Sequence, residues 1–404
     1  MKGTGAAAAA RVLKFGGSSL ATQALRETAA TRVIEAGRDG TRVVVVVSAM
    51  GRAPDPYATD TLLALVPHAD AGANRDLLLA TGEIISAAVF AELLVSLGKP
   101  ARALTGAQAG ITTDATHGDA RVLTVDPRAI LAALASGETP VICGFQGATP
   151  DGTIVTLGRG GSDLTAVAIT RALEGATLEI LTDVDGVMTA DPKRVAGART
   201  IPDLTFEEVT ELSEHGATVM HDKAADLARI SALPYAIRNL RSGAGTTVGA
   251  HETPQAGPVT GVATSFGFTF MHLVPEAAVL PGGWEQEAFR TLAEARISID
   301  CVNVNSAGLF FIVRDAEFAR AHERLSQLPL AVRTRRNCAK ISVVGAGMRG
   351  TPGVMYQCVR ALSGAGVPII HSTDSNITIS LLVPESQAAA AESALHQHFN
   401  LDKS

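Results

Sequence analysis

The sequence is poor in cysteine, and its cysteines lack the spacing that metal sites and disulfide frameworks need. Only 4 of its 404 residues are cysteine, and none belongs to a Cys-x-x-Cys pair. The 10 histidines are scattered, with no His-x-x-x-His spacing. This pattern predicts small buried cysteines in a reducing cytoplasm and no transition-metal centre. The cysteines are Cys143, Cys301, Cys338 and Cys358.

Signals for nucleic acid and for membranes are also missing. The net charge is −6 and no run of lysine and arginine occurs, which argues against nucleic-acid and anionic-membrane partners. The N-terminal stretch MKGTGAAAAA has no apolar signal-peptide core, so we interpret it as a frayed tail. No stretch approaches the roughly 18 apolar residues that a membrane-spanning helix needs.

The first 250 residues carry the pattern of an α/β domain. With 47% hydrophobic residues the chain can build a sizeable core, and its length suits two or three domains. Five consecutive valines in TRVVVVVSAM (41–50) indicate a strand buried on both faces. Helix-like segments closed by glycine, such as 24–37 and 76–98, separate such strands. We therefore expect a mainly parallel sheet sandwiched by helices, with ligands at the carboxyl ends of its strands. The other strand-like runs are 139–147, 176–187 and 233–240.

The second half of the chain contains an internal duplication. Residues 288–313 lie without a gap on residues 358–383, at an offset of 70 residues, and each copy alternates strands with a helix. The shared hydrophobic rhythm carries this inference, because identity between the copies is low. HETPQAGPVTG (251–261), with its two prolines and two glycines, is the predicted linker before them.

Four polar or glycine-rich clusters fall in the first half. They are KFGGSS (14–19), TLGRGGSDLTAVAI (156–169), LTDVDGVMTADPK (181–193) and Glu83 within ATGEIIS. A glycine-rich turn that opens a helix presents free amides and the positive end of the helix dipole, which together bind anions. We expect Ser162 or Asp163 to cap the helix that follows the second cluster. Neither a Walker loop nor a G-x-G-x-x-G fingerprint is present.

These four clusters together suit phosphoryl transfer to a carboxylate. Phosphoryl transfer depends on positioning and on charge neutralisation, which amides, a lysine, acidic groups and a metal ion supply. An acceptor carboxylate is already ionised at neutral pH, so the enzyme needs no general base. The lack of an evident His–Asp or Ser–His pair therefore does not argue against this reaction.

Taken in order, these motifs resemble the aspartokinases of the amino-acid kinase superfamily, and the duplicated half resembles their paired ACT domains. The resemblance implies a catalytic domain over 11–250 and ACT domains over 262–333 and 338–404. It implies that ATP, with Mg²⁺, phosphorylates L-aspartate to 4-phospho-L-aspartate, which leads to lysine, threonine, methionine and diaminopimelate. MGRAPDPYATDTLL (50–63) and the total length are most similar to the diaminopimelate- or lysine-sensitive bacterial branch.

The resemblance also implies roles for individual residues. Lys14 and Asp163 match the catalytic centre, and Arg159 and Glu83 match the groups that hold the carboxylate and the ammonium of the acceptor. The substrate-binding residues are Ser48, Thr59, Glu83, Phe145, Arg159 and Ser162. The ATP-binding residues are Lys14, Phe15, Gly16, Gly17, Thr182, Asp183, Met188, Asp191 and Lys193.

In the second ACT copy, the turn MRGTPGV (348–354) and the segment 371–380 match an effector site for a regulatory amino acid. The first copy has Ala307 and Gly308 where polar groups would be more useful, so we expect it to bind poorly. ACT domains pair between chains, which implies a homodimer or a larger homo-oligomer. The effector-binding residues are Met348, Gly353, Val354, Asp374, Ser375 and Asn376.

Among the departures from the family pattern, one matters most. Thr218 stands where these kinases usually have a phosphate-binding lysine, and we expect Lys223 to replace that lysine in part. Two alternatives to a feedback-regulated aspartokinase stay open: a related kinase that acts on another amino acid, and a catalytically weak amino-acid sensor.

Overall fold

The computed structural model describes residues 10–68, 70–214, 220–250, 257–276 and 283–403. The N-terminal stretch that we interpret as a tail, most of the predicted linker and Thr218 lie outside these ranges. Contacts divide the chain into two compact units. Among the described residues, the first unit comprises 10–187, 200–213 and 220–250, and the second comprises 188–199 and 257–403.

The first unit alternates strands and helices along most of its length. Its strands are β1 (Ala10–Phe15), β2 (Arg42–Val47), β3 (Ala101–Leu104), β4 (Ile111–Thr113), β5 (Val122–Val125), β6 (Thr139–Cys143), β7 (Gln146–Ala148), β8 (Ile154–Thr156), β9 (Thr177–Thr182), β10 (Asp203–Thr205), β11 (Tyr235–Asn239) and β12 (Gly245–Gly249). Its helices are α1 (Gln23–Ala36), α2 (Thr59–Ala64), α3 (Ala73–Ser96), α4 (Arg128–Ala135), α5 (Gly161–Ala172), α6 (Phe206–Glu214) and α7 (Asp222–Ile230).

A mainly parallel sheet forms the centre of this unit, as the sequence predicts. Its eight strands follow the order β10-β12-β11-β9-β1-β2-β6-β3, and only the β11–β12 pairing is antiparallel. All five valines of β2 are buried. On one face Val43, Val45 and Val47 join a core cluster with Phe15 and Phe90, which come from β1 and α3. The predicted strand, buried on both faces, is confirmed.

Helix α3 corrects the expectation that no segment has the length and composition of a membrane span. It is 24 residues long, and its most apolar 18-residue window has a mean hydropathy of 1.9. Half of that window is buried inside the protein, and α3 packs against β3, β6 and β8. The helix also buries two carboxyl groups, Asp76 and Glu83. In this structure α3 is therefore a core helix of the first unit.

The second unit contains one antiparallel sheet with helices packed on it. Its strands are β13 (Gly261–Pro275), β14 (Asp300–Asn305), β15 (Gly308–Arg314), β16 (Leu330–Val344), β17 (His371–Asp374) and β18 (Thr378–Pro384). Its helices are α8 (Trp284–Glu294), α9 (Asp315–Leu325), α10 (Val354–Gly364) and α11 (Ala388–His398). The strand order is β14-β15-β13-β16-β18-β17.

The duplication is confirmed, since α8 and α10, and likewise β15 and β18, begin at the predicted offset of 70 residues. The copies interlock through the long strands β13 and β16. Residues 268–273 of β13 pair with β15 of the first copy, whereas residues 261–265 pair with residues 340–344 of β16 in the second. The second copy thus takes its fourth strand from the start of β13, although residues 262–265 fall within the stretch predicted for the first copy.

Residues 188–199 belong to the second unit, although residues 188–193 end the cluster LTDVDGVMTADPK (181–193), which begins in the first. Arg194 Nε lies 2.5 Å from Glu392 Oε2 of α11, and Arg194 Nη1 lies 2.7 Å from Asp191 Oδ2. Thr189 Oγ1 and His396 Nε2 are 2.9 Å apart and buried. Because Glu392 has no solvent contact, Arg194 is the cation that offsets the burial of its charge.

We expect Arg194→Ala to destabilise the second unit by about 3–5 kcal/mol, because it leaves the Glu392 charge buried without its cation. Amide hydrogen exchange of α11 measures the effect. The double variant Arg194→Met/Glu392→Leu should recover most of the lost protection, since an apolar pair can replace a buried ion pair. Unchanged α11 protection in Arg194→Ala would contradict the assigned role of this pair.

Candidate active site

A cavity of about 430 Å³ opens at the carboxyl ends of β1 and β2 in the first unit. Its lining includes every residue that the sequence predicts for catalysis and for acceptor binding. Those lining residues are Lys14, Ser48, Thr59, Glu83, Phe145, Arg159, Ser162 and Asp163. The chain therefore brings together side chains from β1, from α2, α3 and α5, and from the turns that follow β2, β6 and β8.

Lys14 forms the central ion pair of this cavity. It lies in β1, between Val46 of β2 and Ile180 of β9, and its Nζ is 2.6 Å from Asp163 Oδ1. Both side chains are largely buried. Asp163 lies in the first turn of α5, where the helix dipole favours a negative charge. The pairing holds the lysine ammonium at the end of the strand.

The prediction that Ser162 or Asp163 caps α5 is wrong. Both residues lie inside the first turn. The N-cap is Gly160, with φ 73°, and it has no side chain that could accept a hydrogen bond from the helix amides. A Cβ on Gly160 would collide with the His221 side chain, so contact with the start of α7 requires glycine there. The helix consequently begins at Gly161, two residues earlier than a Ser162 cap would place it and three earlier than an Asp163 cap would.

The two glycines after Lys14 have different local roles. A Cβ on Gly17 would lie 2.6 Å from the carbonyl oxygen of Ala49 and 2.8 Å from that of Gly51, so close backbone packing requires glycine. Around Gly16, the nearest atom to such a Cβ is Lys14 Nζ at 3.8 Å. Gly16 therefore leaves open space beside the ammonium group, whereas Gly17 fixes the turn.

Glu83 is a buried carboxyl group that lines the cavity. Its Oε1 accepts a hydrogen bond from the Ala49 amide at 3.0 Å, and within the described chain its Oε2 has no hydrogen-bond partner. Burial raises the pKa of Glu83 to about 8, and the Ala49 amide opposes this shift. Nearby, Phe145 has φ 68°, a conformation rare for a bulky side chain and most often found at functional sites.

The predicted ATP-binding residues are more dispersed than the acceptor group. Thr182 and Asp183 lie at the carboxyl end of β9, where Thr182 Oγ1 donates to Asp183 Oδ1 at 3.2 Å. Phe15 is buried in the core with its ring 5.6 Å from that of Phe90, so only its backbone is available to a ligand. Lys223, at the start of α7, pairs with Asp119.

Met188, Asp191 and Lys193 lie in the segment 188–199, which belongs to the second unit. The Lys193 amide donates to Asp191 Oδ1 at 2.9 Å, so the segment is internally bonded. A role of these residues in ATP binding stays a prediction, as does that of Lys223.

The predicted effector residues occupy two neighbouring loops of the second unit. Met348 is buried in a short 3-10 turn, and Gly353 (φ 89°) precedes Val354, the first residue of α10. The other loop contains Asp374, Ser375 and Asn376, all exposed. A backbone hydrogen bond of 2.9 Å, from the Gly345 amide to the Ile377 carbonyl, joins the two loops. Their role in effector binding stays a prediction.

Comparison with known proteins agrees with these features. Residues 10–239 match the model of the amino acid kinase family, and residues 341–399 match an ACT domain model. Aspartokinase 1 of Bacillus subtilis is 40% identical over 403 residues, which cover 97% of this chain and 99% of the relative. The chain belongs to the aspartokinase family.

Other members of the aspartokinase family match over similar lengths. The Mycolicibacterium smegmatis aspartokinase is 38% identical, with 96% of each chain covered. Escherichia coli aspartokinase III, solved in complex with aspartate and ADP, has a TM-score of 0.77 at 23% identity. That alignment covers 97% of this chain and 100% of the E. coli chain. At this identity, the structural match supports the fold alone.

The structure adds cavity residues that the sequence analysis missed. One signal for them was available: Asp76 and Glu83 are seven residues apart in the apolar helix α3, so two carboxylates lie on one helix face. The side of the cavity near Asp76 accounts for several of the missed residues. Outside the clusters named from the sequence, they are Asp60, Leu63, Arg75, Leu79 and Gly118, whereas Thr156, Gly158, Gly160 and Gly161 belong to the cluster 156–169.

Replacement of Glu83 by glutamine tests the raised pKa. Between about pH 4.3 and 8 the folded protein keeps a proton on Glu83 that the unfolded chain has released, so stability falls as pH rises. A glutamine side chain cannot ionise, so the Glu83→Gln variant does not lose stability in this way. Between pH 5 and pH 9 the free energy of unfolding of the variant should rise by about 3–5 kcal/mol relative to that of the parent protein.

Urea unfolding at pH 5, 7 and 9, followed by far-UV circular dichroism, measures this difference. The control is Glu179→Gln, which changes a carboxyl group of the same unit that is partly exposed. A parallel pH dependence in Glu83→Gln and the parent protein would show that Glu83 is ionised throughout.

Proposed function

We propose that this member of the aspartokinase family is an aspartate kinase, which transfers the γ-phosphoryl group of ATP to the β-carboxylate of L-aspartate. The product is 4-phospho-L-aspartate. One observation carries the proposal: the Lys14–Asp163 pair lies in the same cavity as Glu83 and Arg159. That cavity thus offers a cation for phosphate beside groups of both signs for an α-amino acid.

Arg159 and Glu83 suit the two ends of an amino-acid backbone. The exposed guanidinium of Arg159 can bind a carboxylate through two parallel hydrogen bonds, and the free Oε2 of Glu83 can accept from an ammonium group. An ammonium next to Glu83 favours its ionised form, so binding of the acceptor releases a proton near neutral pH. The pocket therefore selects α-amino acids over simple dicarboxylates.

Lys14 suits the phosphate end of the reaction. The space beside Gly16 lets phosphate oxygens approach the backbone, and the Lys14 ammonium offsets their charge. Mg²⁺ binds ATP mainly through phosphate oxygens and supplies further charge neutralisation. The acceptor carboxylate is already ionised, so Lys14 and the turn amides have only to orient and neutralise. We place the reaction in the cytoplasm.

We expect Lys14→Ala to lower kcat at least about a hundredfold, the scale that follows removal of one preorganised electrostatic contact. Trapping of the acyl phosphate with hydroxylamine measures turnover over a panel of amino acids. Lys99→Ala, which removes a lysine of the same unit outside the cavity, should keep normal turnover.

Near-normal turnover in Lys14→Ala would sink the assignment of the phosphate site. Preference of the parent protein for another amino acid would make it a related kinase. If no amino acid yields an acyl phosphate, the chain acts as an amino-acid sensor.

We propose that an end product of the pathway, such as lysine, threonine or diaminopimelate, regulates the enzyme through the second ACT copy. The joined loops at 346–354 and 374–377 present backbone groups and exposed polar side chains. In the first copy, His272 Nε2 lies 2.9 Å from the carbonyl oxygen of Ala307, so that loop already has an internal partner. Pairing of ACT domains between chains makes the enzyme at least a homodimer.

Calorimetric titration with lysine, threonine and diaminopimelate should show binding of one of them, and Asn376→Ala should weaken it about tenfold. This is the loss expected for about 1.4 kcal/mol of hydrogen bonding to a charged ligand. Ser306→Ala, at the same position of the first copy, is the matched control and should leave affinity unchanged. Absence of binding would leave the duplicated half as a dimerisation platform.

A further inference from the structure

Asp76 is a fully buried carboxylate whose oxygens join three segments of the first unit. It lies in the first turn of α3 and accepts from the Gly118 amide at 3.1 Å to each oxygen. Thr156 Oγ1, at the end of β8, donates to Oδ1 at 2.7 Å. His117 Nδ1 lies 2.8 Å from Oδ2. Helix, loop and strand therefore meet at one charged group.

The loop held by Asp76 packs directly on the turn that contains Arg159. A Cβ on Gly158, which has φ 75°, would collide with Asp119 Oδ1 and would lie 3.1 Å from the Gly118 carbonyl oxygen. The Ala120 amide also donates to the Thr156 carbonyl at 2.9 Å, so the loop is bonded to the strand that leads into this turn. Displacement of the loop would consequently move Gly158 and its neighbour Arg159.

Helix α3 acts on the cavity at two points. Glu83 lines it directly, whereas Asp76, two turns earlier and outside the lining, supports the loop and strand beside Arg159. We infer that Asp76 is a positioning residue that fixes the spacing between Glu83 and Arg159. It thereby sets the preference for an acceptor of the length of aspartate over the longer glutamate. This inference rests on the proposed function.

A carboxylate suits this position better than a neutral amide. A carboxylate offers two acceptor oxygens to these neighbours, whereas asparagine has one acceptor oxygen and must turn its NH₂ group towards Thr156 or His117. Hydrogen bonds to a charged acceptor are also stronger than those between neutral groups. Small misplacements of groups that orient a substrate are costly for turnover and binding.

We expect Asp76→Asn and Thr156→Val each to raise the KM for aspartate about tenfold, with little change in the KM for ATP. Both variants should also lower the ratio of kcat/KM for aspartate over glutamate. A merely structural defect would lower the active fraction and leave both KM values and the ratio unchanged. Thr156→Val keeps the side-chain shape, so it tests the contact even if Asp76→Asn folds poorly.

Glu208→Gln is the matched control. Glu208 is another buried carboxylate of the first unit; its Oε2 accepts from the Thr205 amide and hydroxyl at 3.0 Å each, away from the cavity. This variant should leave the KM for aspartate and the ratio unchanged. An unchanged KM for aspartate in Asp76→Asn and Thr156→Val, or an equal change in Glu208→Gln, would overturn the inference.

Hydrogen exchange separates this inference from the proposed function. Amides of residues 116–120 and 157–160 should exchange faster in Asp76→Asn and Thr156→Val than in the parent protein. If the parent phosphorylates no amino acid, the proposed function fails, and the exchange data still test whether Asp76 holds these segments together. Unchanged exchange there would overturn the positioning role by itself.

Discussion

Burial of β1 and β2 between layers of helices is the constraint on which the candidate site depends. A lysine in a strand flanked by buried neighbours is costly unless a counter-charge meets it, and Asp163 of α5 supplies that charge. The position of α5 on the sheet is therefore tied to the charge of Lys14. The same burial leaves the two side chains only 11% and 13% exposed, which strengthens the field of the ion pair at the carboxyl ends of the strands.

Helix α3 shows how one element can hold two buried carboxyl groups with different hydrogen-bond partners. Asp76 has hydrogen-bond donors on both oxygens, which offsets the cost of burying its charge. Glu83 has one oxygen bonded to the Ala49 amide and one without a partner among the described residues, and its pKa is raised accordingly. The first group stabilises structure, whereas the second keeps an acceptor available to a ligand.

Much of the first unit could be predicted because its signals are local. Consecutive valines predict β2, and glycine-rich turns after strands place Lys14 and Arg159 at one edge of the sheet. The predictions that were wrong concern places where residues distant in sequence determine the local structure. The N-cap of α5 is Gly160, and neither Ser162 nor Asp163, and this position must be glycine because His221, about sixty residues later, occupies the space of a Cβ.

Two further features could not be predicted from the sequence, because they too depend on contacts between distant residues. The assignment of residues 188–199 to the second unit depends on Arg194 meeting Glu392, a contact between residues 198 positions apart. The spacing of Asp76 and Glu83 was visible in the sequence, but the partners of Asp76 come from segments about 40 and 80 residues away. A pattern read along the chain does not contain such contacts.

The shared strand β13 has a consequence for how the second unit is made. Its residues 261–265 emerge from the ribosome about 75 residues before residues 340–344, with which they pair. The first copy can close its own sheet in the interval, whereas the second must wait for the end of the chain with one edge strand already in place. Such long-range closure slows folding. A fragment beginning after residue 266 would lose that edge and expose β16 to pairing with other chains.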